Sequence, residues 1–294
     1  MELTQTLIDW YKHHARLFPW RMKNVHPYVV LVSETMLQQT QTSRVAEKLP
    51  LFLEVFPTIH DLANASNGTM LRQWQGMGYN SRALRLRDAA KAIVNVHKGV
   101  IPSDPDLLRR LPGIGPYTSA AIACFAFNKR VVVLDVNIRR VYSRLVARQT
   151  TTADVVDDDT LGAFAESIIP LRRSSLWHHA VMDLGATICT AHNPKCDACP
   201  LSSMCPSAFV MQNITRTKPQ EPMFRGQPQR IWRGRIVEAL RGVQAGRYIT
   251  MSALRKHILG EHSETEARWL EDMIDALVRA GHVTRSGQKA RLAD

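Results

Sequence analysis

No stretch of this 294-residue chain reaches the ~18 consecutive apolar residues of a membrane-spanning helix. The opening segment, MELTQTLIDWYKHHARLFPW, has no uninterrupted apolar core of the kind a secretory leader needs, so a cytoplasmic protein is expected. Glycine and proline, 15 each, are too sparse for a collagen-like chain, and 45% hydrophobic residues exclude a disordered one. Period-two alternation is missing before residue 240, which argues against a β core. Acidic residues are also in deficit: 26 Asp and Glu face 38 Lys and Arg, a formal charge of +12. That excess favours a polyanionic partner, nucleic acid first. The length suits two modest domains, or one with a small appendage.

Of five cysteines, Cys189, Cys196, Cys199 and Cys205 fall within seventeen residues, with six, two and five residues between them. In a reducing compartment such a cluster points to metal rather than disulfides. Zinc sites usually combine two short Cys pairs, and only Cys196 and Cys199 form one. Four thiolates from one compact stretch suit an iron–sulfur cube better, with zinc as the alternative. The fifth, Cys124, lies in the apolar run TSAAIACFAF and reads as a core thiol.

Helical periodicity predicts helices over Tyr28–Leu49, Leu62–Trp74, Ser81–His97, Asp104–Leu111, Pro116–Phe127 and Asn137–Ala147. Residues 209–228, polar and proline-bearing, read as a linker. Beyond it, helices over Ile231–Arg241, Met251–Ile258 and Thr265–Ala280, with a hairpin at Ser286-Gly287, suggest a winged-helix-like module over 229–294. A basic stretch with Arg225, Arg230, Arg233, Arg235 and Arg241, and a recognition helix beginning near Ser263, would let it add affinity through phosphate contacts.

Three segments could carry chemistry. In LRRLPGIGPYTSAAIACFAF, Gly113 and Gly115 form a turn before a helix with Pro116 at its first position. The exposed N–H groups there suit a phosphate, although an ordinary tight turn has the same pattern. In VVVLDVNIRRVYSRL, Asp135 is placed as a helix N-cap, and the bonds it would accept favour the anion that stabilises a cationic sugar. Glu34 has apolar neighbours on both sides, which would raise its pKa and make it a general acid. On composition alone a surface glutamate is the simpler reading. One protonated and one ionised carboxylate make the pair that glycosidic chemistry uses.

MLQQTQ after SE, the GMGY loop, LPGIGPYT, LDVN followed by RRV, and MDLGATIC leading into the cysteine loop together resemble the adenine DNA glycosylases (MutY-type) of the helix–hairpin–helix superfamily, which includes endonuclease III. The resemblance spans about residues 10 to 205. It implies an all-α fold of two helical domains with the active site in the cleft between them. The glycosylase region would be 1–208: a six-helix domain over about 24–128, and a cluster domain made of the N-terminal helix and 129–208 around a 4Fe-4S cluster. It implies removal of adenine mispaired with 8-oxoguanine or guanine in double-stranded DNA, by a monomer working at the nucleoid. By the same resemblance Glu34 is the acid that protonates adenine, and Asp135 the carboxylate that stabilises the oxocarbenium ion. Tyr117 stands where strand-cleaving relatives have a lysine nucleophile, so the enzyme would be monofunctional. Gln39 and Tyr79 match residues that wedge into the base stack, Gly113 and Gly115 the hairpin's phosphate contacts, and Trp20 and Arg21 the pocket wall. The four cysteines match the cluster ligands.

This sequence departs from the pattern in three places. The usual Asp-Gly-Asn is Asp135-Val136-Asn137, and the valine is expected to crowd the hairpin-facing backbone; the resemblance implies that Asn137 contacts DNA. His179 stands where many relatives have Gln or Glu touching adenine; a satisfied helix histidine beside His178 is the competing reading. The Nudix-like C-terminal domain is replaced by the winged-helix-like module. Two rivals follow, a thymine or uracil mismatch glycosylase and a non-catalytic iron–sulfur DNA-binding regulator.

Overall fold

The computed structural model describes residues 2–151, 156–211 and 221–294. Eleven α-helices precede the cysteine loop among the described residues: α1 (Glu2–His14), α2 (Pro27–Leu37), α3 (Thr42–Val55), α4 (Ile59–Asn64), α5 (Asn67–Gln73), α6 (Ser81–His97), α7 (Pro105–Arg109), α8 (Pro116–Phe127), α9 (Val136–Val146), α10 (Asp158–Ile168) and α11 (Ser174–Thr187). No described helix is long and apolar enough to cross a membrane. The chain divides into two compact units. One holds Met1–Glu34, Pro102–Arg110 and Ile114–Lys218; the other holds Thr35–Ile101, Leu111–Gly113 and Pro219–Asp294.

Two expected helices are each two. The periodicity over 28–49 is broken between α2 and α3, where Gln39 takes a left-handed backbone with φ 57°. Leu62–Trp74 is likewise interrupted, because Ser66 caps a new helix by accepting a hydrogen bond from the Thr69 N–H. Apolar spacing carries through both breaks, so periodicity alone could not locate them.

In the first unit α1 buries Leu7, Ile8 and Tyr11 against α11, whose Trp177, Ala180, Val181 and Leu184 are also buried. The helix α9 packs on the same α11, and Trp177 Nε1 donates to the Tyr142 hydroxyl at 2.9 Å. A Cβ at Gly185 would come within 2.8 Å of Asn137 Cβ, so glycine there permits the close approach of α11 to the start of α9.

In the second unit α4 and α5 pack on α6 around Leu62, Met70, Leu71, Trp74, Leu86 and Ile93. Of the expected linker, residues 212–220 lie outside the described residues, and its far end forms a short hairpin, β1 (Met223–Phe224) with β2 (Gln227–Pro228). There follow α12 (Gln229–Arg241), β3 (Ile249–Thr250), α13 (Met251–Leu259), α14 (Glu264–Arg279), β4 (Val283–Ser286) and β5 (Lys289–Leu292), with sheet order β3-β5-β4. That is the helix and strand order of a winged helix. Thr250 caps α13, and Ser263 with Glu266 forms a capping box on α14.

Arginines of the expected phosphate-binding stretch make contacts with other parts of the protein. Arg225 pairs with Glu266 and donates to the carbonyls of Leu259 and Glu261, and Arg230 pairs with Glu221. Arg233 reaches Met273, Arg235 stacks over Trp232, and Arg241 is 9% exposed. The helix α14, in the place of a recognition helix, carries Glu264, Glu266, Glu271, Asp272 and Asp275 against Arg268 and Arg279. Four of these acids pair with arginines: Glu264 with Arg268, Glu266 with Arg225, Glu271 with Arg255 and Arg285, and Asp275 with Arg285. A list of arginines in the sequence does not show the acids that fold against them.

Candidate active site and iron–sulfur loop

The helix α2 is apolar on almost every side, so its one acid is carried into the interior. Glu34 is 5% exposed, which discards the surface reading. Burial pushes its carboxyl up to about 7, with the Tyr117 hydrogen bond and the Arg21 charge opposing and the Asp135 charge adding. The Tyr117 hydroxyl donates to Glu34 Oε2 at 3.2 Å. Burial also holds that phenol well above its ordinary pKa, so it remains a neutral donor.

Asp135 caps α9, accepting from the Ile138 N–H at 2.6 Å and from Asn137 Nδ2 at 2.9 Å. These bonds favour the anion as expected, but burial outweighs them and the pKa is raised, not lowered. The expectation from sequence counted the donors and had no measure of desolvation. Val136 is 74% exposed, so the anticipated crowding is absent at its side chain.

Trp20 is buried and stacks on Phe18, with ring centroids 4.7 Å apart. Arg21 donates from Nη1 to both oxygens of Asp183, at 2.9 and 3.0 Å, while its buried Nε finds no acceptor among the described residues. His179 stacks on Phe125 at 4.4 Å and lines a concavity with Phe18, Trp20, Arg21 and Phe125. Burial and the Arg21 charge keep the His179 ring neutral. Its neighbour His178 is the satisfied core histidine: Nδ1 pairs with the Ser174 carbonyl at 2.7 Å, and Nε2 accepts from the Val133 N–H at 3.3 Å.

Gln39, Tyr79 and Gly113 belong to the second unit. Gln39 and Tyr79 both have positive φ, 57° and 45°, and Tyr79 is 52% exposed. The buried Arg82 guanidinium serves both loops. Its Nη1 donates to the carbonyls of Thr35, Met36 and Gln38, and its Nη2 to Thr40 Oγ1 and the carbonyls of Met77 and Gly78. It thereby caps the C-terminus of α2, where carbonyls lack helical partners. Gly113 has φ 75°, and a Cβ there would meet Arg85 Cβ at 2.8 Å, so the turn requires glycine. Gly115 caps α8 with nothing within 4 Å of a built Cβ, leaving the N–H end of that helix open.

Cys189, Cys196, Cys199 and Cys205 line one small cavity with Arg144 and Lys195. Arg144 donates to Cys189 Sγ at 3.2 Å, and the Phe209 N–H to Cys196 Sγ at 3.4 Å; such donors stabilise thiolates. Zinc at ~2.3 Å from each sulfur requires the four to converge on one point. Four thiols lining one cavity, two of them with N–H donors, fit the iron–sulfur cube. The fifth cysteine, Cys124, is buried as expected.

The profile of the HhH-GPD superfamily of base excision DNA repair proteins matches residues 32–163, and the iron-sulfur binding domain of endonuclease III matches residues 189–205. The adenine DNA glycosylase of Mycobacterium tuberculosis is 39% identical over 244 residues, 81% of this chain and 78% of that protein. The chain belongs to the adenine DNA glycosylase family. The Mycolicibacterium smegmatis member is 38% identical over 242 residues, 80% of this chain and 79% of its own. A solved thermostable thymine-DNA glycosylase superposes with a TM-score of 0.65 at 28% identity, covering 70% of this chain and 94% of that one. This glycosylase is thus a base excision repair enzyme, its described residues predominantly helical with small C-terminal sheets, with a 4Fe-4S cluster in its cysteine loop.

Four residues of the glycosylase that organise its site escaped the sequence reading. Asp183 and Gly185 lie in MDLGATIC, which marked the family without yielding their roles. In sequence His178 is only the neighbour of His179, with no role assigned. Arg82 sits in RALRLR, which reads as a solvated helix face, and nothing in the sequence signals its burial.

Proposed function

We propose that this glycosylase hydrolyses the N-glycosidic bond of adenine paired with 8-oxoguanine or guanine in duplex DNA, as a monomer acting on the chromosome in the cytoplasm. The glycosylase region is read as 1–208 and the appended module as 229–294. The observation that carries the reading is Glu34, buried, protonated near neutral pH and hydrogen-bonded by Tyr117, in electrostatic reach of Asp135.

In this mechanism the extruded adenine enters beside Trp20, Arg21 and His179, with the unpartnered Arg21 Nε–H facing an acceptor. Glu34 gives its proton to a ring nitrogen, the bond to the sugar carbon breaks, and both bonding electrons leave with the base. The ionised Asp135, held by Ile138 N–H and Asn137, stabilises the oxocarbenium ion until water adds to it. The proton lost by that water restores Glu34. Tyr117 has no amine for a Schiff base, so the abasic strand stays intact. Gln39 and Tyr79 fill the gap in the stack, while Asn137 and the turn at Gly113 and Gly115 contact the backbone. Cys189, Cys196, Cys199 and Cys205 would hold the cluster, which when bound would tie their loop together.

The test is a panel of duplexes bearing A opposite 8-oxoguanine, A opposite G, and T or U opposite G, with alkali revealing abasic sites. Excision confined to the two adenine duplexes is expected. Excision of T or U alone would assign the thymine reading, and excision of nothing the regulator.

A further inference from the structure

We propose that Arg241, in the C-terminal module, is a positioning residue for Tyr79, and that the module acts as a fixed brace for the loop that carries this wedge. The proposal rests on the reading of Tyr79 as the residue that enters the base stack.

Tyr79 closes a short loop between α5 and α6, at the end of Gly76-Met77-Gly78, and its backbone is left-handed. A half-exposed ring on such a segment needs outside support to hold one direction. Arg82 supplies support from one side through the carbonyls of Met77 and Gly78. Arg241, near the end of α12, supplies it from the other. Its Nε donates to the Leu71 carbonyl of α5 at 2.9 Å, and its Nη2 to Asn80 Oδ1 at 2.8 Å. Asn80 directly follows Tyr79 and is the residue before α6. The third arm of the fork is held by Glu238, with Nη1 to Oε2 at 2.7 Å. One planar cation thus ties the helix before the loop to the residue that ends it, a task for which a lysine lacks the geometry.

The rest of the module meets the same helices. Arg72 donates to the Val243 carbonyl at 3.1 Å, Asn67 to that of Gly281 at 3.0 Å, and Gln75 to Glu238. A Cβ at Gly68 would lie 3.1 Å from the Ala293 carbonyl. These contacts run along α5 and into the turn that follows it, and they describe a brace for that segment.

The experiment uses the full chain with its cluster and a duplex carrying 2-aminopurine beside the target adenine, whose fluorescence rises when the stack opens. Arg241→Ala, Asn80→Ala, Tyr79→Ala and the double variant Arg241→Ala/Tyr79→Ala are compared in single turnover. Arg241→Ala and Asn80→Ala are each expected to reduce excision roughly tenfold and to lower the fluorescence rise, since misplacement of about 1 Å can cost up to about a hundredfold. Iron content and duplex Kd should hold within about twofold. In the Tyr79→Ala background, Arg241→Ala should have no further effect, because its influence passes through the ring. Equal losses from Arg241→Ala in both backgrounds, or normal rates from Arg241→Ala or Asn80→Ala, would overturn the proposal. Should Arg241→Ala fail to fold, Asn80→Ala and its double with Tyr79→Ala carry the same comparison. A normal fluorescence rise with Tyr79→Ala alone would instead overturn the wedge reading itself.

Discussion

Asp183, on α11 and with no exposed surface, takes hydrogen bonds from Arg16 and Arg21 in the segment that follows α1. The Arg16 backbone N–H and Nε, at 2.9 and 2.8 Å, and Arg21 Nη1 converge on its two oxygens. One carboxylate therefore fixes both the N-terminal helix and the arginine whose charge reaches Glu34.

Asp183→Asn should leave Arg21, 9% exposed, without its counter-charge. Removing one partner of a buried pair costs about 3–5 kcal/mol, and the lower end applies because Arg16 is partly solvated. Urea denaturation measures it; an unchanged midpoint would show that Asp183 is not the hub of this segment.

Glu34→Gln should abolish excision yet leave duplex binding nearly intact, since the acid acts on the transition state. It should also stabilise the protein in alkali. A carboxyl raised from 4.5 to about 7 makes the folded state bind the extra proton, so stability falls as pH rises through that window and stays low above it. The penalty at pH 8 is on the order of 3 kcal/mol. Denaturation at pH 5 and pH 8 checks this: the variant should gain at pH 8 and little at pH 5.

The excision rate should be level in mild acid and fall about tenfold per pH unit above about 7, where Glu34 loses its proton. Because the Tyr117 bond lowers that pKa, Tyr117→Phe should move the descending limb towards higher pH. A limb that stays in place would separate the phenol from the acid. The native protein should give no borohydride-trapped DNA adduct; an efficient adduct would reveal a lysine nucleophile elsewhere.

About four iron and four sulfide per chain are expected on analysis of native protein. Cys199→Ser should lower cluster content and DNA affinity together, since the loop carries Lys195 beside the cysteines. One zinc without sulfide would refute the assignment.

Replacing Arg225, Arg230 and Arg233 by alanine should alter the salt slope of duplex binding by less than about 1, because all three are engaged inside the module. A slope reduced by about 3 would mean that they meet phosphate after all.

The proposed catalytic pair could be picked out because Glu34 and Asp135 sit in short, ordered motifs, and one of them in an apolar run. The cysteine loop was readable from spacing. What sequence could not supply was the balance of burial against hydrogen bonding, so Asp135 was given the wrong direction of shift. It also hid long-range partners. Arg225 and Glu266 are 41 positions apart, and the six acceptors of Arg82 come from the end of α2 and two loops with no shared pattern. The break after α2 was invisible for a related reason: its left-handed residue is Gln39, where glycine or asparagine would have signalled it.

The Arg82 fork has a consequence for the nucleic acid itself. Thr40, Met77 and Gly78 cannot shift independently while one rigid guanidinium holds them, so under the proposed reading the loops that carry Gln39 and Tyr79 meet the duplex at a fixed spacing. The duplex must then supply the distortion. Its elastic energy depends on base step, and pyrimidine–purine steps kink most readily. Repair by such a rigid die should run faster where the mispair is flanked by TA or CA steps and slower within stiff A-tracts, with no protein contact to the flanking bases required.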